Sequence, residues 1–177
     1  MRLLLATTNK DKVREYRQLL KGFRLIIPKN LPPVAETGKT FRENAVIKAK
    51  AYGERSGQIT LADDTGLEIK ALNNFPGINS ARFANGNFAK ARKKILARVK
   101  TDRRARFVCV LALYLPATKK IKTFTGTVSG RIAQRETAGY GFGYDPIFVY
   151  PGPKMLVSHR AKATGKLRAY LVKSIHR

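Results

Sequence analysis

With 177 residues, 44 % of them hydrophobic, the chain can bury a core and is too apolar for disorder, so one domain over residues 1–177 is expected. Its 36 Lys and Arg against 11 Asp and Glu give a formal charge of +25, which points to a polyanionic partner, either nucleic acid or a nucleotide phosphate tail. Apolar runs fall short of the ~18 residues of a membrane span, MRLLLATTNK lacks a secretory pattern, and the single Cys109 cannot form an internal disulfide; a cytoplasmic protein, off the membrane, is expected.

RLLLA (Arg2–Ala6) reads as a strand, and the polar turn Thr7-Thr8-Asn9 leads into a helix with Val13, Tyr16, Leu19 and Leu20 at helical spacing. FRLIIP (Phe23–Pro28) is a second strand, followed by a Pro-Pro loop from Asn30 to Gly38. Phe41, Ala45, Ala49 and Tyr52 mark a second helix. Thr40 and Glu43 stand at capping-box spacing at its start, which gives Glu43 a structural role. QITLA (Gln58–Ala62) and LEIKAL (Leu67–Leu72) read as two strands on either side of Asp63 and Asp64, and NNFPGI as a turn.

The densest basic segment runs from Lys90 to Arg106. Phe88, Ala91, Ile95 and Val99 recur there at helical spacing, so one face is expected to be buried and the cations to form the solvated face. A nucleic-acid footprint is the other reading, possible but not the expected one, because no aromatic-stacking, zinc-finger or helix-turn-helix pattern accompanies the cations. ARFVCVLALYLP and KTFTGTVSGRIA carry the longest β signal, with PATKK as the hairpin between them; Cys109 in the first should be a buried, inert thiol. GYGFGYDP leads into the strand IFVY, and Leu167, Tyr170, Leu171 and Ile175 stripe a C-terminal helix. Mixed helices and strands imply an α/β fold with a mixed β-sheet and flanking helices.

Four places carry candidate chemistry. Hydroxyl, amide and backbone N–H groups of Thr7, Thr8 and Asn9 at a helix start can cradle phosphate, with Lys12 as counter-charge; an ordinary N-cap explains the same residues. The adjacent Asp63 and Asp64, past the end of an apolar run, can hold a metal and activate water, or lie solvated in a loop. Phe142, Gly143, Tyr144 and Asp145 in GFGYDP offer aromatic rings, close backbone approach and one carboxylate, suited to a planar ring. Ser158, His159 and Arg160 form a polar trio before the last helix, where Ser158 also serves as a cap.

Taken in order, ATTNKDKVREY, ETGKTFRENAVIKAKAY, LADDTGLEIKAL with FPGINSARFA, ARFVCVLAL, GFGYDPIF and SHRAKA closely resemble the noncanonical purine nucleoside triphosphate pyrophosphatases, the inosine triphosphate pyrophosphatase (XTP/dITP diphosphatase) family, from about Leu3 to the last helix. The resemblance implies two lobes around a central nucleotide-binding cleft, a homodimer, and Mg²⁺-dependent hydrolysis of ITP, dITP and XTP to the monophosphate and pyrophosphate, cleansing the nucleotide pool. By position it implies Asp64 as general base and metal ligand, Glu36 as the other metal carboxylate, and Asp63 as support. Thr7, Thr8, Asn9, Lys12 and Lys48 then fall on the phosphate side, and Thr65 would contact substrate. Phe142 would stack on the purine, Gly143, Tyr144 and Asp145 would line the base and sugar pocket, His159 and Arg160 would read the base edge, and Lys154 matches the family's substrate-binding lysine four residues before Ser158. The chain departs from the family pattern at Thr8 and Ala161, where Gly is usual, and in a shortened segment between Phe148 and Ser158.

Overall fold

The computed structural model describes residues 1–138 and 141–175, with the side chains of 174 and 175 left aside. Gly139 and Tyr140 of the Gly-rich stretch, and the side chain of Ile175 assigned to the last apolar stripe, lie outside the described residues. The strands are β1 (Arg2–Leu5), β2 (Arg24–Ile26), β3 (Thr60–Ile69), β4 (Arg104–Leu115), β5 (Lys120–Ile132) and β6 (Phe148–Val149). The helices are α1 (Lys10–Leu19), α2 (Phe41–Ser56), α3 (Ser80–Ala84), α4 (Phe88–Arg98), α5 (Lys154–Val157) and α6 (His159–Ile175). They build one mixed sheet in the order β2-β1-β3-β4-β5-β6; β1 is parallel to both neighbours and the remaining pairs are antiparallel.

β4 explains why the expected α/β class holds. Its apolar run is continuous because both faces are covered. Cys109, Leu111 and Leu113 join Leu3, Leu5, Tyr16 and Leu167 under α1 and α6. Val108, Val110, Ala112 and Tyr114 face Ala45, Ala49 and Tyr52 of α2. A third cluster, with Leu67, Ile95, Phe107 and Ile147, gathers α4 onto the far end of the sheet. Cys109 is fully buried, and burial pushes its thiol up to about 11, which makes it inert as expected.

The helix starts follow their capping residues. Asn9 Oδ1 accepts from the N–H groups of Asp11 and Lys12, fixing α1 directly after β1. Thr40 Oγ1 accepts from Glu43 N, while Glu43 turns back to Lys39 N at 2.6 Å, so Glu43 is the structural acid its spacing implied. Ser158 Oγ accepts from Ala161 N at the start of α6.

One expectation is corrected. QITLA and LEIKAL are not two strands beside a turn but parts of the single strand β3, with Asp63 and Asp64 in its middle. Asp and Gly are poor strand formers, but tertiary pairing overrides that preference. β4 matches β3 from Thr60 opposite Tyr114 to Ile69 opposite Ala105. β1 accompanies β3 only as far as Leu5 opposite Leu61, so one edge of β3 is released just before the aspartates. There the cleft opens.

α6 lies close on β5 because Gly126 has no side chain; a Cβ there would strike the carbonyl of His159 and the backbone of Ala163. Gly126→Ala should therefore overpack this contact and lower stability by about 1–3 kcal/mol, read as a lower urea midpoint at unchanged slope.

Candidate active site

Successive side chains of a strand point to opposite faces, so adjacent aspartates cannot share one environment. Asp63, opposite Leu111, lies on the α1/α6 face, and Asp64, opposite Val110, on the α2 face. Asp63 Oδ2 sits 2.8 Å from Lys12 Nζ and accepts from Thr65 Oγ1 at 2.8 Å. Asp64 Oδ1 accepts from Thr65 N and lies 3.7 Å from Lys48 Nζ, which pairs with Glu36 at 2.8 Å. Asp64 Oδ2 is buried with no partner among the described residues.

These environments push the two carboxyls apart. Burial would raise Asp63, but Lys12, Arg160 and Lys48 outweigh it and hold the carboxyl well below the ordinary range. Asp64 is raised by burial, opposed by Lys48 and reinforced by Glu36 and Asp63. Burial works against the Lys48 ammonium, yet Asp63, Asp64 and Glu36 raise its affinity for the proton and keep it charged. Glu36 is held by its loop: Tyr52 donates to Pro32 O at 2.7 Å and Gly38 N to Asn44 Oδ1 at 2.8 Å.

The other end of the cleft is built on the loop at Gly141–Asp145. Gly141 and Gly143 have φ of 63° and 62°, a left-handed geometry that side chains resist, and a Cβ at Gly141 would collide with the Asp145 carboxylate. Asp145 accepts from Phe142 N, Tyr150 OH and Lys154 Nζ at 2.8, 2.8 and 2.6 Å. Behind the loop, buried Glu15 of α1 pairs with both Lys154 and Arg160. Lys154 Nζ lies 4.9 Å and the Arg160 guanidinium 5.4 Å from the centre of the Phe142 ring. His159 stacks on Phe107 with centroids 4.6 Å apart, and neither ring nitrogen has a partner among the described residues. Burial, then Arg160 and Lys154, lower its pKa far below the ordinary value, so the imidazole is neutral.

One cleft brings together Asn9, Lys12, Glu36, Lys48, Asp64, Thr65, Phe142, Gly143, Tyr144, Asp145, His159 and Arg160. The remaining candidates stand apart from it. Asp63 is behind the wall and touches the cleft through Lys12 and Thr65. Thr7 Oγ1 accepts from Asn9 N, and Thr8 faces a separate groove beside α1. Lys154 lies behind Phe142, where the shortened segment still delivers it as α5. Tyr144 and Asp145 line the cleft but are committed to bracing it, Tyr144 OH to Ser80 O at 2.8 Å.

Four further residues matter that the sequence reading did not single out. Glu15 was legible only as an acid between Val13 and Tyr16, which both turn inward. Ser80 links Leu67 N to Gly77 O, and Phe107 supports His159. Arg92 was read with the solvated cations, yet its guanidinium donates to Gly143 O at 2.8 Å and pairs with Glu136.

Carboxylates and lysines at one end, and an aromatic ring beside His159 and Arg160 at the other, suit a phosphorylated ligand with a planar head. The profile of the Ham1 family matches residues 3–170. A protein of Bacillus licheniformis named dITP/XTP pyrophosphatase is 39 % identical, over 96 % of this chain and 97 % of its own. One of the same name from Symbiobacterium thermophilum is 40 % identical, over 93 % and 92 %. The solved Ham1 protein of Staphylococcus aureus superposes with a TM-score of 0.85 at 36 % identity, covering 98 % of this chain and 100 % of that one. The HAM1 protein of Coxiella burnetii gives 0.84 at 35 %, covering 98 % and 99 %. This chain belongs to the Ham1 family.

The Asp63 environment makes a signed prediction. Its carboxyl is depressed in the folded state, so it contributes stability that is present above the unfolded pKa, roughly 3.9, and lost as pH falls below that value. Asp63→Asn should lower stability at neutral pH and flatten the acid limb below about pH 4, measured as urea midpoints across that range.

Proposed function

We propose that this chain hydrolyses deaminated purine nucleoside triphosphates, dITP, XTP and ITP, to the monophosphate and pyrophosphate. The observation that carries the proposal is the unpartnered Asp64 Oδ2 beside Lys48, sharing one cleft with the unpartnered nitrogens of His159 and Arg160 around Phe142. One nucleotide would span both ends. The relatives named dITP/XTP pyrophosphatase support the same substrate class.

Asp64 is the general base in this reading: its carboxylate, with Oδ2 unpartnered among the described residues, takes a proton from water, which attacks the α-phosphorus. The anhydride bond to the β-phosphate breaks, and pyrophosphate leaves toward Asn9 and Lys12. Lys48 offsets charge growing on the phosphate oxygens. Asp63 positions Lys12 and Thr65 rather than reacting. Mg²⁺ fits the donor set: hard carboxylate oxygens of Glu36 and Asp64, one of them without a protein partner, with phosphates and water completing the shell. The ion would add Lewis-acid stabilisation of the phosphate charge.

Phe142 stacks on the base, with Lys154 and Arg160 4.9 and 5.4 Å from its ring centre. Arg160 has only donors to offer, and its Nε is without a partner among the described residues, so a 6-oxo purine is accepted where a 6-amino purine meets donor with donor. Such mismatches in a buried polar site reach roughly 10⁴–10⁵ in discrimination. No helix is long and apolar enough to cross a membrane among the described residues. A cytoplasmic homodimer, each chain acting as one pyrophosphatase domain over 1–177, completes the proposal.

Pyrophosphate release should be fast from dITP, XTP and ITP with Mg²⁺ and slow from ATP; equal turnover across the panel refutes the assignment. Asp64→Asn should lower kcat by about 10²–10⁴-fold while circular dichroism stays native; a fully active variant removes Asp64 as the base. Chelation with EDTA should abolish turnover and added Mg²⁺ restore it, assayed on the same substrates.

A further inference from the structure

Between Glu68 and Asp102 the chain carries no acidic residue, yet it holds eight Lys and Arg and five Asn. That stretch folds into the lobe of α3 and α4. On α4, Ala91 and Ile95 turn into the core, while Lys90, Lys93, Lys94 and Arg98 project from the opposite arc and Lys100 follows at the end. All five are exposed, and none forms an ion pair among the described residues.

The fold adds what the basic segment lacks in sequence. Phe75 and Phe83, both half-buried, pack edge to face at 4.8 Å beneath this face. Lys94 Nζ lies 5.9 Å from the Phe83 ring centre and the Arg98 guanidinium 5.8 Å from that of Phe75. The rings hold two of the cationic heads in place, which reduces the ordering cost when an anion binds. Cations interleaved with aromatic rings and exposed Asn73, Asn74 and Asn85 match the chemistry of a nucleic-acid strand. A lipid surface fits less well. Among the described residues the large exposed apolar ones are Met1, Val149, Met155, Leu156 and Val172, none of them in this lobe.

We propose that the outer face of α4, with Phe75 and Phe83 beneath it, is a docking surface for single-stranded nucleic acid, separate from the cleft. It does not depend on the pyrophosphatase reading. The test uses the full chain and a fluorescein-labelled single-stranded 20-mer of mixed sequence, titrated between 50 and 200 mM salt. Five cations on phosphates predict a slope of log K against log salt of about −3.5. The triple variant Lys93→Glu, Lys94→Glu, Arg98→Glu should weaken binding at least about tenfold and reduce the slope by about 2. Pyrophosphate release from dITP should stay at its starting rate. The neutral set Lys93→Gln, Lys94→Gln, Arg98→Gln keeps good helix formers and should show a smaller loss in the same direction. A matched reversal at the β4–β5 turn, Lys119→Glu, Lys120→Glu, Lys122→Glu, changes net charge equally and should leave most of the affinity. Equal losses from the two reversals mean diffuse attraction and overturn the proposal. So does unchanged binding in both α4 variants, or tighter binding to phosphatidylserine vesicles than to the oligonucleotide.

Discussion

The site depends on the pleat of β3 at the point where β1 stops beside it. Within the sheet, neighbouring side chains must alternate faces, and that alternation sends Asp63 toward α1 and Asp64 toward α2. Because β1 ends at Leu5, the edge of β3 next to the aspartates is open to ligand, and Asn9 and Lys12 arrive across the gap. A single strand thereby serves two roles. One aspartate fixes a lysine from behind, while the other, buried and short of partners, faces the cleft. A slip of one residue in the β3–β4 register would exchange them.

The base end rests on a second constraint, a buried chain of charges. Glu15 joins Lys154 and Arg160, and Lys154 continues to Asp145, which holds the Phe142 backbone. Arg160 is essentially buried, and Glu15 and Asp63 contribute to keeping it charged against desolvation. Breaking one partner of such a buried pair typically costs roughly 3–5 kcal/mol, because the survivor is stranded. The network couples α1 to the Gly-rich loop, α5 and the start of α6. Phe142 is thus presented by a rigid frame although it sits on a loop.

Charge is distributed unevenly on this scaffold. Of only 11 acids, Glu15, Glu36, Asp63, Asp64 and Asp145 are gathered at or behind the cleft, each with a cation. Elsewhere the cations greatly outnumber their partners, and the α3–α4 lobe has no acid of its own. The net charge of +25 is therefore a property of the outer surface, whereas the cleft is locally balanced.

The sequence by itself determined the α/β class, the helix starts at Asn9, Thr40 and Ser158, and the ordered motifs that carry the family. These are local signals: capping chemistry, apolar periodicity and short spacings act within a few residues of one another. It misread β3 as two strands because Asp and Gly disfavour a strand locally, while the ladder to β4 that overrides them lies about forty residues away. It also could not show that Thr8 faces away from the cleft, that Lys154 lies behind Phe142, or that Arg92 leaves the solvated face to hold Gly143. Which carboxylate is paired and which is left open was decided only in three dimensions. Adjacent residues in sequence face opposite sides of a sheet, and only packing says what each side contains.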